Sequence, residues 1–228
     1  MLKENERIDD LNINGLKIIQ NELEFMYGTD AVILSDFVTV GKKTSVLDLC
    51  TGSGIIPLLL YAKYSPKKIC GIEYFENIAE RAERSVLMNH LEESVGIICG
   101  DIKNIDSYIK RESFDYVTVN PPYMVADSGF VNENGYKKAA RHEILCDLDD
   151  VLKAAAYSLK YGGRLGMVHR SERLADVISA FRKYKIEPKR FSFAYSDISL
   201  SPKLILIEGK KGAEPGLVFE PPVRLEKL

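Results

Sequence analysis

A chain of 228 residues with 46% apolar composition can bury one substantial core and does not require a second. Its 31 Lys and Arg against 33 Asp and Glu leave a net charge near −2, which excludes a globally basic nucleic-acid binder. The start MLKENERIDDLNIN has no basic leader before an apolar stretch, and the longest apolar candidate, Ile55 to Ala62, contains Pro57 and is too short for a membrane span of roughly 18 residues; a cytoplasmic location is expected. Charge is uneven along the chain. Residues 151–212 hold 13 Lys or Arg against 5 Asp or Glu, a local balance of +8 that suits an anionic partner approaching one side.

Residues 1–44 read as an N-terminal extension with scattered apolar positions, ending in a short helix, Asp30 to Val40, and the polar turn Gly41-Lys42-Lys43. Ser45 to Leu49 reads as a buried strand, Cys50 to Gly54 as a turn, and Ile55 to Tyr64 as the helix that leaves it. Lys68 to Glu73 is the next strand, and Asn77 to Asn89 is an amphipathic helix with Ile78, Ala82, Val86 and Asn89 along one face. Val95 to Cys99 and Phe114 to Val119 supply two more strands. Met124 to Ala140 shows no periodicity and predicts a long irregular loop beside a strand end, where function concentrates. Then follow a long helix, Arg141 to Leu159, a turn at Gly162-Gly163, a strand, Arg164 to Val168, and a helix, Ser171 to Tyr184. Arg190 to Tyr195 and Leu204 to Glu208 read as an antiparallel pair at the sheet edge, and residues 212–228, with Pro215, Pro221 and Pro222, as an extended tail.

The strand–helix alternation over residues 45–211 predicts an α/β fold, doubly wound, with a mainly parallel sheet and helices on both faces, forming one domain over 1–228. Cys50, Cys70, Cys99 and Cys146 are widely spaced, without a CxxC pair or a histidine at ligand spacing, and read as free thiols; no metal is expected.

In Val46-Leu47-Asp48-Leu49-Cys50-Thr51-Gly52-Ser53-Gly54 an apolar strand runs through two glycines into a helix, and Gly52 and Gly54 allow close backbone approach to a ligand. Glu73 ends the second strand about twenty residues on, where doubly wound folds bind ribose hydroxyls. The pattern alone also fits a dinucleotide. Against NAD, the loop lacks the three glycines of GxGxxG and places Asp48 just ahead of it, which suits a ligand carrying a positive amine; the competing reading is an acid that orients the loop by accepting backbone N–H groups. Asp101-Ile102 follows the third strand: the Asp could accept from an adenine amine with Ile102 against the purine face, or simply cap the stretch that follows.

Asn120-Pro121-Pro122-Tyr123 stands at the carboxyl end of the fourth strand, where open α/β sheets place their ligands. Its two prolines hold the carbonyls of Asn120 and Pro121 in fixed directions. An amide or exocyclic aromatic amine is a poor nucleophile because its lone pair is delocalised. The Asn120 side-chain oxygen and the Pro121 carbonyl, each accepting one N–H, favour a pyramidal nitrogen, while Tyr123 stacks on a planar substrate. The bland alternative is a strand terminator that covers the core.

Asp48 to Gly54, Glu73, Asp101-Ile102 and Asn120 to Tyr123 together resemble the class I methyltransferases of planar amino or amide nitrogens, which use S-adenosylmethionine. Leu16 to Gln20, Phe25 with Gly28 to Leu34, Gly54 to Leu59, Ala140 to Glu143, Val168 to Arg170, Lys185 to Arg190 and Glu220 to Pro222 further resemble the bacterial tRNA1(Val) adenine-37 N6-methyltransferase family. That likeness implies a seven-stranded Rossmann-like sheet with its last strand antiparallel. It also implies cofactor roles for Gly28, Thr29, Asp30 and the loop residues Asp48, Thr51, Gly52 and Gly54, and for Glu73, Asp101, Ile102 and Asn120, and substrate roles for Asn120, Pro121, Pro122 and Tyr123. Cys50 departs from the general pattern, which has Gly there. Candidate tRNA contacts are Arg170, Lys183, Lys189 and Arg190, with Arg141 and His142 beside the target nucleotide. The alternatives are another RNA base, a protein glutamine, or a nonenzymatic binding protein.

Overall fold

The computed structural model describes residues 2–24, 26–121, 146–198 and 200–225. The N-terminal segment forms an antiparallel hairpin of β1 (Glu6–Asp10) and β2 (Lys17–Asn21), followed by helix α1 (Thr29–Phe37). Alternation then continues through β3 (Ser45–Leu49), α2 (Ile55–Tyr64), β4 (Lys68–Glu73), α3 (Glu76–Met88), β5 (Val95–Cys99), a 3₁₀ segment (Ile102–Ser107) and β6 (Phe114–Val119). Beyond the undescribed 122–145 come α4 (Leu148–Ser158), β7 (Leu159–Arg170), a second 3₁₀ turn (Ser171–Arg173), α5 (Leu174–Lys183), β8 (Ile186–Tyr195) and β9 (Leu204–Lys211).

The seven long strands lie in the order β8-β9-β7-β6-β3-β4-β5, all parallel except β9, which runs against both β7 and β8. This is the doubly wound fold expected, and the antiparallel pair is at the predicted edge. Two short tail strands, β10 (Val218–Phe219) and β11 (Val223–Arg224), extend it by pairing with β8. The described part of the tail is extended and mostly exposed, as expected, and is anchored to β8: Ser192 Oγ donates to the Pro221 carbonyl, and Glu220 N to that of Phe191.

Strand parity divides the core. Leu47, Leu49, Cys70, Ile72, Val117 and Val119 face α4, α5 and the first 3₁₀ segment, while Val46, Ile69 and Tyr116 face α1 and α2. On β3, β4 and β6 the polar positions Asp48, Glu73 and Thr118 share parity with the second set, so they fall on the α1/α2 side. Because β3 has β4 on one side and β6 on the other, the winding reverses between β3 and β6. A crevice at the carboxyl ends of those strands is the physical consequence.

Four sequence readings are corrected. The extension contains a hairpin whose second strand is held by α3: Ile19 N donates to Ser85 Oγ, Lys17 N to Asn89 Oδ1, and Asn89 Nδ2 returns a bond to the Lys17 carbonyl. The described part of the long helix begins at Leu148, because Asp147 and Asp150 form a reciprocal capping box; residues 141–145 lie outside the described ones, as does Met124 to Ala140. Gly162-Gly163 is a bulge within β7, not a turn before it: the register jumps from Phe114↔Leu159 to Tyr116↔Arg164, with Gly162 at φ 78°. The predicted helix from Ser171 to Tyr184 splits into the 3₁₀ turn and α5. No helix among the described residues is long and apolar enough to cross a membrane.

Candidate active site

The carboxyl ends of β3, β4, β5 and β6 bring Cys50–Gly54, Glu73, Asp101 and Asn120 to one edge of the sheet. Asp48, one residue before the end of β3, lies directly across from Thr118 of β6. Its side chain is fully buried, and Oδ1 accepts from the Thr118 hydroxyl at 2.6 Å while Oδ2 accepts from that of Thr51 at 2.6 Å. Burial pushes the Asp48 pKa up to about 7 against these two bonds, and nearby Glu73 adds to the rise. Both oxygens are thus engaged by protein hydroxyls, and the acid ties the loop to β3 and β6.

The loop itself is threaded between strands. Thr51 N donates to the Ile72 carbonyl and Gly52 N to Glu73 Oε2 at 2.9 Å, while Phe75 N holds Glu73 Oε1 at 3.0 Å. Glu73 is buried, which raises its pKa, and these backbone donors oppose the rise. Gly52 has φ 56°, and a Cβ there would meet nothing within 4 Å, so its bare backbone borders open space. Cys50 also adopts a left-handed conformation, φ 57°, which explains why glycine suits that position; a side chain there costs roughly 1 kcal/mol. Its thiol hydrogen-bonds with that of Cys146, and this contact, with burial, holds the Cys50 pKa well above the usual thiol range.

Gly71 was not singled out from sequence, yet a Cβ there would lie 2.7 Å from Thr51 Oγ1. The signal available was an isolated glycine inside a strand, which marks close approach of another group. Asp101 takes the capping role: its side chain accepts from Lys103 N at 2.9 Å. Ile102 is buried in the core with Ile105 and Ile109.

Asn120 meets the N-terminal segment. Its Nδ2 donates to Asp30 Oδ2 at 3.0 Å, across 90 residues of sequence, and Asp30 Oδ1 accepts from Ala31 N at 3.0 Å. Thr29 opens α1 and Gly28 is its N-cap. Gly28 has an ordinary extended backbone; its need is for space, since a Cβ would lie 2.8 Å from Asp30 Oδ1. Pro121 is buried, and Pro122, Tyr123, Arg141 and His142 lie outside the described residues.

The basic candidates are not brought together. Arg170 ends β7 at the same edge as Asn120 and is exposed. Lys183 ends α5 and pairs with Asp149 at 2.5 Å. Lys189 Nζ donates to the Glu214 carbonyl. Arg190 lies over the Phe37 ring and bonds Glu220, Glu208 and the Phe37 carbonyl. Among the described residues no cluster of His, Cys, Asp or Glu is arranged to hold a metal.

Residues 41–202 match the family model described as a methyltransferase domain. A tRNA1(Val) (adenine(37)-N6)-methyltransferase from Porphyromonas gingivalis is 27% identical over 206 residues, covering 88% of this chain and 80% of its own length. The protein of the same name from Tolumonas auensis is 26% identical over 182 residues, 76% of this chain and 74% of its own. Among solved structures, a predicted O-methyltransferase from Agrobacterium tumefaciens superposes with TM-score 0.68 at 19% identity, covering 86% of each chain.

Proposed function

We propose a substrate for a chain that belongs to the methyltransferase domain family and is an S-adenosylmethionine-dependent methyltransferase: the exocyclic N6 of an adenine in tRNA, adenine 37 of tRNA1(Val). The observation that carries the chemistry is the placement of Asn120-Pro121 at the winding reversal, beside the glycine loop. The substrate is supported by the relatives from P. gingivalis and T. auensis, whose names state that base.

The residues fit the cofactor. Gly52 leaves bare backbone against open space, with the carboxylates of Glu73 and Asp101 at the next two strand ends. Glu73 would take the ribose hydroxyls through the acceptor capacity its backbone donors leave, and Asp101 the adenine amine. Asp48 and Thr51 shape the loop from beneath, and Ile102 is buried in the core just past Asp101. When bound, S-adenosylmethionine supplies an electrophilic methyl group on a sulfonium.

On the substrate side, the Asn120 Oδ1 and the Pro121 carbonyl each accept one proton of the target amine. Two acceptors placed so draw the nitrogen out of conjugation and aim its lone pair. No strong base is required first, because the nitrogen becomes acidic as positive charge develops on it. Asn120→Ala tests this: turnover falls roughly a hundredfold, about 3 kcal/mol for one aligned transition-state bond, while S-adenosylhomocysteine affinity stays within a few fold. Wild-type single-turnover methylation of unmodified tRNA by that variant would remove Asn120 from the mechanism. Transfer to a glutamine peptide in preference to tRNA would replace the substrate.

A further inference from the structure

We propose that Asp30 is a positioning residue that fixes which way the Asn120 amide faces, and so aims Oδ1 at the substrate amine. This rests on the reading of Asn120 as an acceptor. A side-chain amide has two orientations related by exchange of oxygen and nitrogen, and only one presents an acceptor to an N–H substrate. The reversed one would set donor against donor. A carboxylate only accepts, so the atom 3.0 Å from Asp30 Oδ2 must be Nδ2, which turns Oδ1 to the other branch of the amide.

Asp30 is itself held in place. Its second oxygen accepts from Ala31 N, in the first turn of α1, where negative charge is favoured. The absence of a side chain at Gly28 provides the room that this oxygen occupies. Gly28 and Asp30 thereby act as one device: one clears the volume, and the other fills it with a carboxylate whose two oxygens have separate tasks. The Gly28-to-Asp30 region then acts through Asn120 and not only on the cofactor.

A double-mutant cycle tests the inference. Asp30→Ala should lower kcat on unmodified tRNA by about tenfold or more, with KM for tRNA and for S-adenosylmethionine within a few fold, and Asp30→Ala/Asn120→Ala should be no slower than Asn120→Ala alone. Multiplying losses, or a wild-type rate for Asp30→Ala while Asn120→Ala is crippled, would overturn the role of Asp30 and leave that of Asn120 standing. A wild-type rate for Asn120→Ala would overturn both. If Asp30→Ala does not fold, Asp30→Asn takes its place, because it offers one side-chain oxygen to two donors. The Asn120 side-chain ¹⁵N resonance, read without substrate, should move in that variant, and an unmoved resonance would sink the proposal.

Discussion

Asp48→Asn should make the protein more stable than wild type at neutral pH and comparable to it in acid. Asp48 is fully buried, and its pKa in the folded chain is about 7 against an ordinary value of 3.8. A raised carboxyl pKa means that the folded state keeps its proton while the unfolded state has lost it. Stability from this group is therefore complete below pH 3.8 and is lost as pH rises to about 7, after which both states are ionised. The slope is about 1.4 kcal/mol per pH unit, and a gap of about 3 in pKa gives about 4 kcal/mol. Asparagine can donate to one of Thr51 and Thr118 and accept from the other, as a protonated carboxyl does, so the substitution itself should cost about 1 kcal/mol or less. Urea unfolding of both proteins from pH 4.5 to 8 reads the difference. It should widen with pH to about 7 and then level. A constant offset across the range would refute the buried, proton-retaining acid.

Gly71→Ala places a methyl 2.7 Å from Thr51 Oγ1 and should displace the glycine loop, costing about 1–3 kcal/mol of stability and weakening S-adenosylhomocysteine binding; calorimetry with wild-type affinity would show that the loop tolerates it. Gly28→Ala should reproduce the kcat loss of Asp30→Ala while leaving cofactor affinity within a few fold, read by the same steady-state assay. Arg170→Ala should weaken tRNA binding and reduce its salt slope by about 1, whereas Lys183→Ala, its charge already paired with Asp149, should change neither; equal effects in a salt series would show that Arg170 is no stronger an RNA contact than Lys183.

The strands β3, β4, β5 and β6 were legible to the residue because each is a short apolar run bounded by turn or polar residues. The hairpin was not, although Asn14-Gly15 marked its loop, where both residues take positive φ. Its apolar residues are few, and β2 is held by Ser85 of α3 and by Asn89, which caps that helix, partners that lie 66 and 72 residues away. Within the site, the glycine loop and Asn120 announced themselves by type and spacing. The Asp30–Asn120 bond and the Gly71–Thr51 contact did not, because each depends on two segments meeting in space. Charge counting also misled for Arg190, whose guanidinium is spent on Phe37, Glu208 and Glu220.

The central claim is tested most directly by mass spectrometry of tRNA1(Val) lacking the modification, incubated with the purified protein and S-adenosylmethionine and then digested to nucleosides and to sequence-mapped fragments. The account predicts N6-methyladenosine at position 37, formed by wild type and about a hundredfold more slowly by Asn120→Ala. Methyl appearing on another base, or on none while a protein glutamine is modified, would contradict it.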